Sequence, residues 1–150
     1  RLTRDKTPVI TTDKTPFEAG KVQIFWTSEN PKAVIFATGH LLYQALLAAK
    51  ELNEPILVAN VSTIKPFDGK SILELVKKTG AVVTVEDHQV AGGLGGAISE
   101  FLAKNLPAPM EFVGLQDTFA ESGSPSELIE KYGLDSKAIK SAVKKAMARK

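Results

Sequence analysis

From Lys32 onward, short apolar runs alternate with segments of helical periodicity, and this alternation restricts the possible folds more than any other feature. Three apolar runs, at residues 33–37, 56–61 and 81–85, are each followed by apolar residues at helical spacing. This order is typical of a sheet wound with crossover helices. The runs are almost continuously apolar, as strands covered on both faces are. We therefore predict an α/β fold, a three-layer α/β/α sandwich with a mostly parallel sheet.

Two further segments complete a predicted sheet of about five strands. Residues 110–115 form a fourth apolar run after two prolines, and residues 22–26 form a short run within a Thr-, Pro- and Lys-rich stretch. Both are expected at the edges of the sheet, and the pattern leaves open which of them runs antiparallel to the others.

The starts of three helices are marked by capping residues. Asp68 precedes an apolar set at helical spacing, and Asp135 precedes another in which lysines alternate with apolar residues. Ser124, Pro125 and Glu127 form the pattern of a capping box with proline at the first helical position. We predict a helix after each of these signals.

Composition excludes several classes of function. The chain has no cysteine, so thiol nucleophiles, disulfides and thiolate metal sites are absent, and a reducing compartment is permitted. No apolar run approaches the roughly 20 residues of a membrane-spanning helix. Basic residues concentrate at 131–150, but no aromatic residue follows Tyr132, so we interpret this segment as a solvated helix face and expect no nucleic-acid partner.

Three polar or glycine-rich segments follow predicted strands and are candidate sites. Thr38-Gly39-His40 could hold an anion at a helix start, although one glycine fits a simple turn better. The glycines at 92, 93, 95 and 96 lack the G-x-G-x-x-G spacing, which favours close packing of a helix on the sheet or on another subunit. Glu86-Asp87-His88 could perform acid–base chemistry, but no nucleophile accompanies it.

The ordered set of motifs resembles the carboxy-terminal domain of transketolase and its thiamine-diphosphate-dependent relatives. The matching segments are T-G-H at 38–40, V-S-T-I-K-P-F-D at 61–68, V-T-V-E-D-H at 83–88, G-G-L-G-G-A-I at 92–98 and E-S-G-S-P-S-E-L at 121–128. The resemblance covers residues 22–150, and T-I-K-P together with V-E-D-H is specific to transketolase within that superfamily.

The resemblance implies a ketol transfer, in which thiamine diphosphate with Mg²⁺ (or Ca²⁺) moves a two-carbon unit between ketose and aldose phosphates. It places this reaction in the pentose phosphate pathway and in the cytoplasm, and the parent enzyme is a homodimer. The cofactor carries the chemistry and is bound by domains that precede this region. We therefore expect the 150 residues to serve domain and dimer assembly, with no catalytic, cofactor or metal residue and no membrane partner.

The resemblance also assigns individual residues and ranges. Residues 1–31 are expected to be the end of the pyrimidine-binding domain plus a linker, and residues 32–150 the C-terminal domain proper. Arg4 matches an arginine that binds the sugar phosphate, because its planar guanidinium suits a phosphate. Glu86, Asp87 and His88 are assigned to interface or structural work. Because the chain begins with Arg1 and not methionine, we expect a fragment of a longer enzyme.

Two other functions stay open. The fold and the E-S-G motif at 121–123 are shared with 1-deoxyxylulose-5-phosphate synthase and with the beta subunits of 2-oxo-acid dehydrogenases, which dock another protein. A different class is a regulatory module that binds a nucleotide or an anion near Gly39 or His88.

Overall fold

The structure is a computed structural model of the 150-residue chain and describes residues 6–150. Strands and helices alternate along most of its length, as the apolar pattern predicts. The elements are β1 (Val22–Thr27), β2 (Ala33–Ala37), α1 (Leu42–Glu51), β3 (Ile56–Val61), α2 (Gly69–Thr79), β4 (Val82–Gln89), α3 (Leu94–Asn105), β5 (Met110–Leu115), α4 (Pro125–Lys131) and α5 (Ser136–Ala148). A 3₁₀ turn, Gly39–Leu41, precedes α1.

The five strands form one mixed sheet in the order β1-β3-β2-β4-β5. β2, β3, β4 and β5 are mutually parallel, and β1 pairs antiparallel with β3 at one edge. The predicted mostly parallel sheet of about five strands is confirmed, and the N-terminal strand is the one that runs against the others.

Helices cover both faces of the sheet and create two apolar cores. On one face α1 and α5 pack on the strands through residues such as Ala45 and Ile139. On the other face α2 and α3 do so through residues such as Ile72 and Ile98. Every residue of β2 is inaccessible to solvent, as expected for a central strand covered on both sides. The predicted three-layer arrangement is confirmed.

β1 lies in the range predicted as linker, yet it is hydrogen-bonded into the sheet, from Val22 opposite Val61 to Thr27 opposite Leu57. Its register shifts between Ile24 and Trp26, so Phe25 is an extra residue, a β-bulge. Because of the bulge, Ile24 lies opposite Ala59, which belongs to one core, while Trp26 lies opposite Val58, which belongs to the other.

The predicted helix starts are confirmed. The Asp68 carboxylate accepts hydrogen bonds from the backbone N–H and the hydroxyl of Ser71 at 3.2 and 2.7 Å. Asp135 Oδ1 accepts from the Ala138 N–H at 2.8 Å. At α4, Glu127 Oε2 accepts from the backbone N–H of Ser124 at 3.1 Å and from its hydroxyl at 2.6 Å.

β4 is longer than the apolar run that predicted it. It continues through Glu86, Asp87 and His88 to Gln89, because pairing with β5 resumes at Gln89 opposite Leu115 after an irregularity in register. These polar residues therefore belong to the strand. Within residues 6–150, no helix combines the length and apolar character needed to cross a membrane.

Candidate functional site at the carboxyl edge of the sheet

The strand order creates a crevice between the carboxyl ends of β2 and β4. These neighbouring strands are parallel, but β2 leads into α1 on one face of the sheet and β4 leads into α3 on the opposite face. Where successive connections diverge in this way, an open α/β sheet leaves a cleft, and ligands usually bind there. We call the segments around this cleft, at residues 10–12, 15–17, 38–41, 62–68, 86–93 and 115–124, the carboxyl edge.

A cavity of about 800 Å³ opens at this point. The loop after β2 contributes Thr38, Gly39 and His40, and β4 with its following turn contributes Glu86, Asp87, His88, Gly92 and Gly93. Residues 10–12 and 15–17 of the N-terminal segment form another wall. The structure thus brings together all three candidate segments, although Thr38-Gly39-His40 is distant in sequence from the other two.

His40 and Asp87 meet across the crevice. His40 Nε2 lies 3.6 Å from Asp87 Oδ2, and the two side chains are 20% and 47% exposed. The His40 Nε2 atom is buried and accepts or donates no hydrogen bond within the described part of the chain. This pair was not predictable from the residue pattern, because the proximity of His40 and Asp87 depends on β2 lying beside β4.

Glu86 is the most buried ionisable group at the edge, with 1% of its surface exposed. Its two carboxylate oxygens accept hydrogen bonds from the backbone N–H groups of Leu94 and Gly95, each at 2.7 Å. These groups are at the start of α3, where backbone donors have no partner inside the helix. Glu86 therefore joins the end of β4 to the beginning of α3.

The glycines at this turn allow α3 to approach the sheet closely, as predicted. A Cβ atom on Gly95 would lie 2.7 Å from Phe112 Cδ1 and 2.9 Å from Thr84 Oγ1, both on the sheet. A Cβ atom on Gly93 would overlap the Glu86 carboxylate. A methyl group at either position would therefore force the neighbouring atoms to move.

Asp87 and His88 project from the edge and are exposed. His88 Nδ1 lies 2.8 Å from the carbonyl oxygen of Gln89, which can only accept, so Nδ1 donates in this contact. The Gln89 side chain donates to the Thr118 carbonyl at 2.7 Å and accepts from the Asp117 N–H at 2.9 Å. These bonds fix the loop after β5 beside the end of β4.

A second cavity, of about 400 Å³, lies between α1 and α4. His40 and Asp87 line both cavities and form the wall between them. The remaining lining is mostly apolar or aromatic and includes Tyr43, Leu128 and Tyr132.

Large apolar side chains are exposed around the carboxyl edge. Phe17 is 71% exposed and Ile64 is 36% exposed, and both line the first cavity. Val9 is 88% exposed and lies between Pro8, which lines the second cavity, and Ile10, which lines the first. Phe119 is 98% exposed and precedes Ala120, which lines the second cavity. Exposed apolar side chains gathered in one region are typical of a surface that contacts another protein.

The chemistry available at this edge is limited within residues 6–150. No group of three or more His, Asp or Glu side chains there could hold a metal ion. Neither His40 Nε2 nor His88 Nδ1 is bonded to a Ser or Thr hydroxyl, so the Ser–His arrangement of nucleophilic catalysis is absent from the described contacts. Arg4, the predicted phosphate-binding residue, lies outside the described residues.

Comparison with known proteins identifies related chains. Residues 20–139 match the model of the family described as "Transketolase, C-terminal domain". The 6-deoxy-6-sulfo-D-fructose transketolase subunit of Clostridium sp. (strain MSTE9) is 41% identical over 153 residues, covering 100% of this chain and 47% of that protein. The 1-deoxy-D-xylulose-5-phosphate synthase of Leptothrix cholodnii is 42% identical over 116 residues, covering 77% of this chain and 18% of that enzyme.

One solved structure has the same fold and also a clearly related sequence. A split gene transketolase, described as an inactive beta4 tetramer, superposes with a TM-score of 0.89 and 36% identity. The match covers 97% of this chain and 48% of that chain. The chain thus spans about half the length of the Clostridium subunit and of the split-gene protein.

Proposed function

Since this chain belongs to the transketolase C-terminal domain family, we propose that it completes a transketolase that transfers a two-carbon ketol unit between ketose and aldose phosphates. The family match over residues 20–139 carries the proposal. In this proposal the parent enzyme is a homodimer of the pentose phosphate pathway, and the 150 residues serve its assembly and have no activity alone. The motif V-E-D-H at 85–88 supports a transketolase over other family members.

Thiamine diphosphate, the cofactor that the family implies, supplies the carbanion chemistry when bound. The described residues do not fit it or its Mg²⁺ (or Ca²⁺) ion. Within residues 6–150 no group of three or more His, Asp or Glu side chains is placed to hold a cation. The two N–H groups at the start of α3 that could hold a diphosphate are bonded to Glu86. We therefore assign cofactor and metal binding to the portion of the enzyme that precedes this domain.

We propose the carboxyl edge as the surface that packs on this preceding portion. Asp87 and His88 are among its exposed polar residues, and the neighbouring Glu86 is bonded to the start of α3. The exposed apolar side chains of Phe17 and Phe119 lie at the same edge, where burial in an assembly would remove them from water. Glu86, Asp87 and His88 thus have interface or structural roles and no catalytic role.

Arg4 is proposed to bind the phosphate end of the sugar substrate in the assembled enzyme. A guanidinium offers two parallel N–H donors to a phosphate, and this geometry is lost in lysine. Replacing Arg4 with lysine should raise the KM for sugar phosphates with little change in kcat. An equal KM for the Arg4→Lys and unaltered enzymes would contradict this role.

The test of the main proposal is reconstitution. The 150-residue chain and the preceding portion of its parent are produced separately and together, and ketol transfer is assayed with thiamine diphosphate and Mg²⁺. We expect turnover only when both parts are present. Substantial turnover by the 150-residue chain alone would contradict the assembly role, and no turnover by the reconstituted, folded pair would contradict the transketolase assignment.

A second enzyme of the same family is favoured by one observation, the 42% identity to a 1-deoxy-D-xylulose-5-phosphate synthase. The shorter aligned length, 77% of this chain, makes it the weaker candidate. The reconstituted enzyme distinguishes the two, since formation of 1-deoxy-D-xylulose 5-phosphate without ketol transfer would favour the synthase.

A docking role like that of 2-oxo-acid dehydrogenase beta subunits predicts stable binding to an acyltransferase core.

A regulatory module is the alternative of a different class. The first cavity, at the switch point of the sheet and lined by Thr38, Gly39, His40 and His88, is the place such a ligand would occupy. Calorimetric titration of the 150-residue chain with nucleotides and sugar phosphates tests it. No heat at millimolar ligand would remove this alternative.

We propose a cytoplasmic location, which the cysteine-free composition permits. Fractionation of cells that express the complete parent enzyme tests this.

A further inference from the structure

The glycine-rich turn at the start of α3 has the components of an anion-binding loop. Gly92 and Gly93 follow a strand at the carboxyl edge, and α3 begins immediately after them with backbone N–H groups that face the end of that strand. Phosphates bind at such helix starts because the N–H groups and the helix dipole both favour negative charge. In this chain, however, the position is taken by a side chain.

Glu86 provides the negative charge from within the fold. Its Oε2 accepts the Leu94 N–H and its Oε1 accepts the Gly95 N–H, each at 2.7 Å. Only 1% of the residue is exposed. This is how a bound oxyanion is held, with one donor for each of two oxygens.

The neighbouring glycines leave room for this carboxylate. A Cβ atom on Gly93 would overlap Glu86 Oε2, and one on Gly95 would lie 3.2 Å from Glu86 Oε1. The space that glycines leave for a phosphate in nucleotide-binding loops is therefore filled by a group of the chain itself.

We propose that Glu86 is a built-in anion that occupies the α3 binding loop, so that this loop takes no nucleotide or sugar phosphate. Glu86 is then a positioning residue that fixes the start of α3 and the turn at 89–93. The inference does not depend on the proposed function, because it rests on contacts inside the described chain. It predicts that removing the carboxylate creates a site for a small free carboxylate.

The experiment compares Glu86→Ala with the unaltered 150-residue chain during titration with formate. We expect Glu86→Ala to melt at a lower temperature and to regain several degrees of Tm in a saturable manner as formate rises, because a ligand that binds only the folded state stabilises it. The unaltered chain should show no saturable gain. A lowered Tm without formate rescue would overturn the proposal, since the carboxylate would then contribute packing alone.

Two control variants separate this effect from general salt stabilisation. Asp135→Ala also removes a carboxylate from a helix start, but at a half-exposed site, and should show no saturable formate effect. Glu86→Gln keeps the volume of the side chain, so formate has no space to enter and should not rescue it. A saturable formate effect of equal size in all three variants would contradict the proposal.

A measurement on the unaltered chain keeps the test valid if Glu86→Ala fails to fold. The backbone amide resonances of Leu94 and Gly95 are followed by NMR during titration with inorganic phosphate and, separately, with acid. Phosphate should leave both unchanged, and acid should shift both together as the shared carboxylate takes up a proton. Shifts of these two resonances at millimolar phosphate, or independent responses to acid, would overturn the proposal.

Discussion

At the scale of single residues, two backbone donors at the start of α3 allow Glu86 to be buried. A glutamate after an apolar run is usually exposed, because a buried carboxylate without hydrogen-bond donors is costly. Its burial depends on donors eight and nine residues later, which the turn brings back over the strand. The close packing of the glycines was predictable because no other residue tolerates such an approach, but the group they make room for was not.

Two consecutive glycines of α3 are expected to differ in their response to the same substitution. Gly95→Ala places a methyl group 2.7 Å from Phe112 and should lower the free energy of unfolding by about 1–3 kcal/mol. Gly96→Ala meets only the Val90 carbonyl, at 3.3 Å, and gains helix propensity, so its stability should change by less than about 1 kcal/mol. Urea unfolding measures both. Equal losses in the two variants would contradict the close packing of Gly95 on the sheet.

At the scale of elements, local signals predicted the helix starts and the limits of β2, β3 and β5, but not the full length of β4 or the bulge in β1. Asp68 and Asp135 were identifiable because a cap acts within three residues of its helix. The extension of β4 to Gln89 and the bulge at Phe25 depend on the partner strands, which are distant in sequence. The end of β4 and the bulge in β1 were therefore set by strand pairing and were not predictable from the residue pattern of either strand.

The Asp68 cap should make a measurable contribution to stability. Asp68→Ala removes the acceptor for the Ser71 N–H and hydroxyl and should cost about 1 kcal/mol, as is typical of a lost cap. Chemical denaturation near neutral pH measures this. Lys70→Ala, in the same turn, is a control that keeps the cap, and a loss of equal size in both variants would contradict the capping role.

The same cap predicts a dependence on pH. The Ser71 hydroxyl, and then the Ser71 backbone N–H, lower the pKa of Asp68 below its ordinary value, partly opposed by desolvation. A lowered pKa means that the contribution is complete above the pKa of the unfolded chain, about 3.9, and is lost as the pH falls through the lower folded pKa. The stability difference between the unaltered chain and Asp68→Ala should therefore be constant near neutrality and shrink below about pH 4. A difference that grows on acidification would contradict this.

At the scale of the whole molecule, the alternation of apolar runs and helical segments was sufficient to predict three layers, because each strand needs cover on two faces. The order of the strands was not predictable from it. Any arrangement of four parallel strands with crossovers would give the same pattern, yet only a sheet with β2 beside β4 brings His40 to Asp87. The candidate segments were therefore recognisable individually, but their meeting at one crevice was not.

The proposed contact surface can be tested by substitution at the carboxyl edge. Phe17→Ser should weaken binding to the preceding portion of the enzyme about tenfold or more in Kd, because an exposed aromatic side chain would be buried on assembly. Ile24→Ser, on β1 and 54% exposed, is the control and should leave Kd unchanged. Calorimetry on the two separately produced parts measures both. Equal weakening by the two substitutions would move the interface away from the carboxyl edge.

The antiparallel direction of β1 determines at which end of the sheet the segment before β1 lies. Because β1 begins opposite Val61, the last residue of β3, the chain enters the sheet at the same end as the crevice. The segment from Lys6 to Phe17 accordingly lines both cavities before β1 begins. A body joined to this segment would be held at high effective concentration beside the crevice, so even weak contacts there would be occupied most of the time. A parallel first strand would have delivered the same tether to the opposite end of the sheet.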